Sequence, residues 1–492
     1  MQGSAEKLVL LGDKLVEVPA HGPGDRIIAI PELGEVVVVP KSAVEIAREA
    51  VSAASAAFTE LGRVPDDAIR AFFVDFAERL SDPTKVAPIR AANELDVANA
   101  RARGRAVGRL TLNDKMLAAM IDGLRVWANT PSRVGELIES RDGEGFRIER
   151  RRAPLGVVAF VFEGRPNVFA DAAGVLTNRN TAVFRIGGDA LGTATAIEEH
   201  ALRPALRHAG LPENALALVR SKDHGAAHAL FTERAIRLAV ARGSGRTVAL
   251  LGAIARQHGI AASLHGTGGA WMYIEPSAPP DLVENAVRHS LDRKVCNTLN
   301  VLVLHRDAAT SLAPAINRAL QATRARVYPC RGSEGIVNGE AITDGEAITD
   351  GAAIINGAAI IDGAATERTL DLSELSHEWE WDDRPELSFV LADDFNHAVH
   401  LINRYSPHFV ASILSARPGA FQQFYDAVDA PYVSNAFTRW VDGQWAWQRP
   451  ELGLTNWEQG RLFGRSGFLS GDDLTSVRDV FIDQTGSAPH HR

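Results

Sequence analysis

Short apolar runs broken by glycine and proline open the chain. KLVLL, KLVEV, RIIAI and EVVVV fall within residues 7–40 and predict one or two β-hairpins. From Ser42 the period changes. SAVEIAREAVSAASAAF and DDAIRAFFVDFAERL place apolar side chains three and four positions apart, as amphipathic helices do, with Ser42 and Asp66 or Asp67 as N-caps. Residues 132–152 (SRVGELIESRDGEGFRIERRR) predict two strands about a DG/EG turn. GVVAFVF and TAVFRI then read as strands buried on both faces of a parallel sheet, with a helical segment near Val168–Leu176 between them. ATAIEEHALRPALRHAG, ALALVR, HGAAHALF and IRLAVA continue the alternation of helix and strand up to a Gly/Ser turn at Arg242–Gly245. This texture predicts a doubly wound α/β domain whose ligands sit at the carboxyl ends of its strands.

A second α/β stretch runs from Ala270 (AWMYIEP) through SLDRKVCNTLNVLVLH, residues 290–305, to a helix around residues 308–322. Strands ELSFVLAD, FVASILS and PYVSNA alternate with helices FNHAVHLINRY and GAFQQFYDAV further on. Residues 339–362 are four hexads, GEAITD, GEAITD, GAAIIN and GAAIID. A solenoid needs several coils of about three hexads each, so these read as a surface insertion, a small hairpin with DG and NG turns. The segment FTRWVDGQWAWQRPELGLTNWEQGRLFGRSGF has no clear period and reads as loops that close a site.

With 492 residues the chain has room for two or three domains. Two cysteines are too few for a disulfide framework, and no Cys/His spacing suggests zinc, so a reducing cytoplasm fits. The apolar run near the N-terminus is too short for a signal sequence, and nothing approaches the roughly 18 apolar residues of a membrane span. A net charge of −9 argues against a nucleic-acid partner.

Against that background Cys296 stands out. It follows Arg293 and Lys294 and precedes an alternating strand, and neighbouring cations and turn N–H groups favour the thiolate. The other reading is a buried packing thiol, as expected for Cys330 in VYPCRG.

RRAPLGVVAFVFEGRPNV, TAVFRIGGDA, KVCNTLNVLVLH, INRYSPHFVASILS and YVSNAFTRWVDG occur in that order. Together they resemble the aldehyde dehydrogenase superfamily and, within it, the gamma-glutamyl phosphate reductase (glutamate-5-semialdehyde dehydrogenase) family. The apolar runs themselves give a β-rich arm at 1–41, which is unexpected for this reductase family and more like the N-terminal strands of ordinary aldehyde dehydrogenases. The resemblance implies an NADP-binding Rossmann-like domain at 42–131 and 151–262, and a catalytic α/β domain at 263–430 carrying the hexads. Residues 132–150 and 431–492 would form an oligomerisation ribbon and a C-terminal loop. It further implies Cys296 as nucleophile and the Asn167 amide as an oxyanion donor. Arg185, Gly187 and Gly188 would cradle the adenosine side of NADPH, and Arg242, Gly243 and Ser244 its pyrophosphate. Arg165, Asn297 and Arg439 are the candidates for substrate contact, because a guanidinium fork suits planar oxyanions. The implied activity is reduction of L-glutamyl 5-phosphate through a cysteine thioester, in proline biosynthesis, by a homo-oligomer associated with a glutamate 5-kinase.

Where aldehyde-oxidising members carry a glutamate base, this chain has SLHGTGGA, without a carboxylate; His265 is the alternative base there. The chain also departs from the reductase pattern. Cys296-Asn297-Thr298-Leu299-Asn300 replaces C-N-A-x-E, and a loop with Trp445 and Trp447 replaces a small Gly/Phe-rich one. Another acyl phosphate, a carrier-bound thioester, an aldehyde to be oxidised and a non-catalytic scaffold remain alternative readings.

Overall fold

The N-terminal runs fold as two hairpins. In the computed structural model, which describes residues 8–105, 107–331, 333, 354–355, 358–359, 364–365, 368–441, 446–455 and 467–486, β1 (Leu8–Leu11) pairs antiparallel with β2 (Lys14–Glu17). β3 (Arg26–Ile30) pairs in the same way with β4 (Glu35–Val39). The chain divides into two units, residues 1–266 with 448–454 and 468–492, and residues 267–447 with 455–467. The hairpins belong to the first unit, and Ile28, Ile30 and Val39 of the second hairpin share a core with the helix that follows.

That helix, α1 (Lys41–Leu61), buries Ala43, Val44, Ala47, Val51, Ala54, Ala57 and Leu61 along one stripe. Ser42 lies inside it and does not cap it; the boundary residue is Pro40, with no side-chain cap. α2 (Asp66–Ser81) likewise follows a proline, and Asp66 and Asp67 occupy its first turn, where negative charge complements the helix dipole. α3 (Pro83–Ala102) and α4 (Asp114–Asn129) do have side-chain caps, from Asp82 and Asn113.

β5 (Leu137–Gly143) and β6 (Phe146–Pro154) form the hairpin expected about the glycine turn. β7 (Val157–Phe162), β8 (Thr181–Ile186), β9 (Leu216–Leu218), β10 (Ile236–Arg242) and β11 (Ala261–His265) form a parallel sheet in the order β11-β10-β7-β8-β9. The uninterrupted apolar run of β7 has a plain cause. Val158, Phe160 and Phe162 enter one core and Val157, Ala159 and Val161 the other, so both faces are covered. The connections are α5 (Val168–Ala172), α6 (Leu191–Ile197), α7 (Arg203–His208), α8 (Gly225–Leu230) and α9 (Gly245–Gln257). One expected helix is split: a π turn at Glu198–Leu202 joins α6 to α7, and the buried Glu198 is paired with Arg203 and Arg220.

The second unit holds β12 (Ala270–Ile274), α10 (Pro280–Ser290), β13 (Leu299–His305), α11 (Ala309–Thr323) and β14 (Arg326–Pro329). Within the hexads β15 (Ile354–Ile355) pairs antiparallel with β16 (Ala358–Ala359), on either side of an NG step that lies outside the described residues, as do most of the hexads. β17 (Ala364–Ala365), β18 (Glu386–Ala392), β19 (Val410–Leu414) and β20 (Tyr432–Ser434) complete a parallel sheet in the order β17-β14-β18-β13-β12-β19-β20. β13 is again buried on both faces, with Leu302 and Leu304 on one side and Val301 and Val303 on the other.

The segment expected to be loop and ribbon, 431–492, is divided between the units. In the first unit it supplies β21 (Gly453–Leu454), β22 (Phe468–Leu469) and β23 (Thr475–Asp483). β23 pairs with β6 along its whole length, giving the three-stranded ribbon β23-β6-β5. Two asparagines on one turn fasten that ribbon to the parallel sheet. Asn178 accepts from the Arg133 N–H and donates to the Asp472 carbonyl. Asn180 accepts from the N–H groups of Leu155 and Gly156 and donates to the Leu474 carbonyl at 2.7 Å. Asn180 is fully buried, so Asn180→Ala strands three backbone groups away from water. The expected loss is about 3 kcal/mol or more, read as a clearly lower melting temperature; an unchanged melt would contradict the clasp.

Candidate active site

Cys296 sits in the turn that leads into β13, at the amino edge of its sheet and half-buried. Polar side chains shape this turn. Thr298 Oγ1 accepts from the Val295 N–H at 2.9 Å and donates to the Arg293 carbonyl at 2.7 Å. The Cys296 carbonyl accepts from the Gly269 N–H at 2.7 Å, so the turn is pinned to the strand start beside it. Gly268 allows this approach. A Cβ there would lie 2.5 Å from the Cys296 carbonyl oxygen and 2.8 Å from its Cα, distances that no side chain tolerates.

The pattern at 263–270 holds no carboxylate, yet the fold delivers one to the same place. Glu378 Oε2 accepts from the Gly268 N–H at 2.6 Å, and Oε1 accepts from Lys294 Nζ at 2.8 Å. Asn300 sets the backbone on both sides of Glu378. Its amide donates to the His377 carbonyl, and its Oδ1 accepts from the Trp379 N–H. Asn300, which stands where the C-N-A-x-E pattern has its glutamate, is thus a backbone clasp for a carboxylate carried elsewhere. Sequence reading missed Glu378 because it lies 84 positions beyond Lys294 and past the hexads. Lys294, nearly buried, directs its ammonium to Glu378, with Glu380 also at 3.8 Å.

Arg439 and Asn297 come together. The Arg439 guanidinium is buried, pairs with Asp292 at 2.7 Å and donates to Asn297 Oδ1 at 2.5 Å. The Asn297 carbonyl accepts from Thr438 Oγ1. Asn297 is buried as well, so the pair braces the Cys296 turn from within. Cys330 is fully buried in the core. Trp445 lies outside the described residues, and Trp447 is exposed.

In the first unit the remaining candidates cluster at the carboxyl ends of β7, β8 and β10. Arg165 and Asn167 follow β7; Arg165 lies 3.6 Å from Glu163 and is partly exposed. Asn167 Nδ2 donates to Asp171 Oδ2 at 2.8 Å. Gly187 ends β8, where an added Cβ would meet the Gly164 N at 2.8 Å; Gly188 lies beside Lys222. Arg185 differs from expectation: its guanidinium is buried and donates to the Lys222 and Asp223 carbonyls, so it supports the turn from below. Arg242 at the end of β10 pairs with Glu451 at 3.1 Å and lies over the Phe162 ring. Gly243 and Ser244 lead into α9, whose first turn has no side-chain cap and so presents N–H groups.

His265 ends β11. Its Nδ1 accepts from the Leu454 N–H, so in the neutral ring Nε2 carries the hydrogen. Burial, then Arg242, Arg165 and Arg109, hold its pKa well below the usual histidine value. A neutral imidazole in this tautomer has no nitrogen left to take a proton, which removes His265 as a base. A cavity of about 350 Å³ lined by Phe73, Trp127 and Thr177 lies elsewhere in this unit, and none of the candidates lines it.

The aldehyde dehydrogenase family profile matches residues 30–327, more than half of the chain. The chain belongs to the aldehyde dehydrogenase family. It is 30% identical over 396 residues to a protein of Brucella anthropi named gamma-glutamyl phosphate reductase, covering 79% of this chain and 84% of that one. It is 31% identical over 401 residues to a protein of the same name from Rhodopseudomonas palustris, covering 79% and 83%. Among solved structures, a gamma-glutamyl phosphate reductase from Thermotoga maritima superposes with a TM-score of 0.75 at 24% identity, covering 91% of this chain and 99% of that one. An acetylating aldehyde dehydrogenase from Geobacillus thermoglucosidasius gives 0.61 at 18% identity, covering 89% and 96%. Both structures share the family's fold.

The close approach at Gly268 yields a direct test. Gly268→Ala should lower the melting temperature and also lower Cys296-dependent turnover roughly 100-fold, since about 1 Å of misplacement suffices for the latter. Turnover within about twofold of the parent, in a folded variant, would show that the contact does not matter.

Proposed function

We propose that this chain reduces L-glutamyl 5-phosphate to L-glutamate 5-semialdehyde and phosphate, with NADPH as cofactor and Cys296 as nucleophile. The observation that carries this reading is Cys296 on a braced turn, in a chain about 30% identical along most of its length to proteins named gamma-glutamyl phosphate reductase.

The Cys296 thiolate attacks the acyl carbon, the carbon–sulfur bond forms, and phosphate leaves with the bonding pair. The Asn167 amide donates to the oxygen that gathers charge in the tetrahedral state. NADPH supplies the hydride that reduces the thioester. The thiohemiacetal then releases the aldehyde and returns the sulfur to Cys296. Arg165, at the partly exposed end of β7, is the cation in this reading for the substrate's carboxylate or phosphate.

The first unit suits the dinucleotide on its own evidence of shape. The uncapped start of α9 offers N–H groups to a pyrophosphate, and Gly187 and Gly243 keep the strand ends free of side chains. Lys222, exposed beside Gly188, suits a 2′-phosphate and thereby NADPH over NADH. Suppression of hydrolysis fits the second unit, where both Glu378 oxygens are engaged by Lys294 and Gly268. The ribbon exposes Leu137, Ile138, Val477, Phe481 and Ile482, an apolar surface suited to self-association. A labile acyl phosphate favours delivery from a nearby glutamate 5-kinase, in the cytoplasm.

The reaction is measured in reverse. Glutamate 5-semialdehyde and NADP should give NADPH only when phosphate or arsenate is present, and Cys296→Ala should lose at least about 1000-fold. Turnover that ignores phosphate would indicate an aldehyde-oxidising enzyme. NADPH binding without turnover would point to a different acyl group.

A further inference from the structure

Asp171 lies one helical turn beyond Asn167, on α5, and is 8% exposed. Its neighbours Phe169, Ala170, Ala172 and Ala173 are all buried. Among the described residues its carboxyl group makes one hydrogen bond, accepted by Oδ2 from Asn167 Nδ2 at 2.8 Å. A carboxylate placed for structure alone would have backbone N–H groups or a close cation. Asp171 has neither. The charges that face it are Arg242 at the end of β10, Arg165 after β7, and Glu451 of the segment that pairs with Arg242.

The terminal torsion of an asparagine amide is broad and nearly two-fold, so its oxygen and nitrogen exchange places readily unless a neighbour distinguishes them. An ionised carboxylate accepts only, and therefore draws the amide nitrogen to itself. We propose that Asp171 is the positioning residue for Asn167: its carboxylate pins one amide hydrogen and leaves the second in a fixed place to serve the acyl oxygen. This rests on the assignment of Asn167 as the oxyanion donor.

Charge control follows from the same geometry. Burial, opposed by Arg242 and aided by Glu451, raises the Asp171 pKa from 3.8 to about 7. A protonated Asp171 can instead donate to the amide oxygen, which turns the nitrogen away. Turnover should therefore rise with pH through about 7. Stability carries the opposite sign. With the folded-state pKa above the unfolded one, the native chain binds the extra proton between these values, so stability falls as pH rises from about 4 to about 7.

The test uses the full chain and the phosphate-dependent reverse reaction, with the parent, Asp171→Leu, Asp171→Asn, Asn167→Ala and the Asp171→Leu/Asn167→Ala double variant. Asp171→Leu should lower kcat roughly 100-fold, with little change in KM, NADPH binding or the rate of Cys296 alkylation. Asp171→Asn keeps an acceptor oxygen but, like the protonated acid, can also donate. It should hold the parent's low-pH rate at every pH, lose the inflection near pH 7, and melt above the parent at pH 8 but not near pH 4. The double variant should be no slower than the slower of its two single variants. Parent-like kcat in Asp171→Leu, or losses that multiply in the double variant, would overturn the proposal. Retention of the inflection in Asp171→Asn would overturn it even if the leucine variant failed to fold. Should Asn167→Ala keep full activity, the assignment of Asn167 falls and this proposal with it; a crippled Asn167→Ala beside an unaffected Asp171→Leu removes only the proposal.

Discussion

Every strand pairing in the two central sheets is parallel, and the placement of the chemistry depends on that. A parallel sheet has two unlike edges, one where all strands begin and one where all end. The first unit uses its carboxyl edge, where β7, β8 and β10 run out into the Asn167, Gly187 and Arg242 turns. The second unit does the opposite. Its Cys296 turn precedes β13, Gly268 precedes β12 and Glu378 precedes β18, all at the amino edge. The candidate residues thus lie at the carboxyl edge of the first sheet and at the amino edge of the second.

Short polar side chains turn these edges into defined sites. Thr298 and Asn300 satisfy backbone groups around Cys296, as Asn178 and Asn180 do at the root of the ribbon. Each replaces hydrogen bonds to water that burial would forfeit, so their value lies less in net attraction than in what their loss would leave unpaired. Lys294 and Glu378 follow the same logic with charge. Each keeps the other tolerable in a nearly buried place, and together they hold both oxygens of a carboxylate near the Cys296 turn.

Much of this was legible in the sequence. Runs such as GVVAFVF and NVLVLH announce strands covered on both faces, and the structure shows the two cores that cover them. The roles of individual polar residues were less legible, because they depend on partners remote in sequence. Arg439 reads as an anion fork until Asp292 and Asn297 are seen around it. Arg185 gives no local sign that its guanidinium donates to the carbonyls of Lys222 and Asp223. Glu378 gave no signal, since nothing local joins it to Cys296. Asp171 could have been found: an acid four positions after Asn167, within a run of apolar helix, suggests a side-chain pair.

The central claim is that acyl transfer passes through Cys296 and waits for phosphate. Its most direct measurement is peptide mapping by mass after glutamate 5-semialdehyde and NADP are mixed with the enzyme without phosphate and quenched in acid. The account predicts one acyl group on the Cys296 peptide, lost when phosphate is added before the quench. No acyl group on Cys296, or steady formation of the free acid without phosphate, would contradict it.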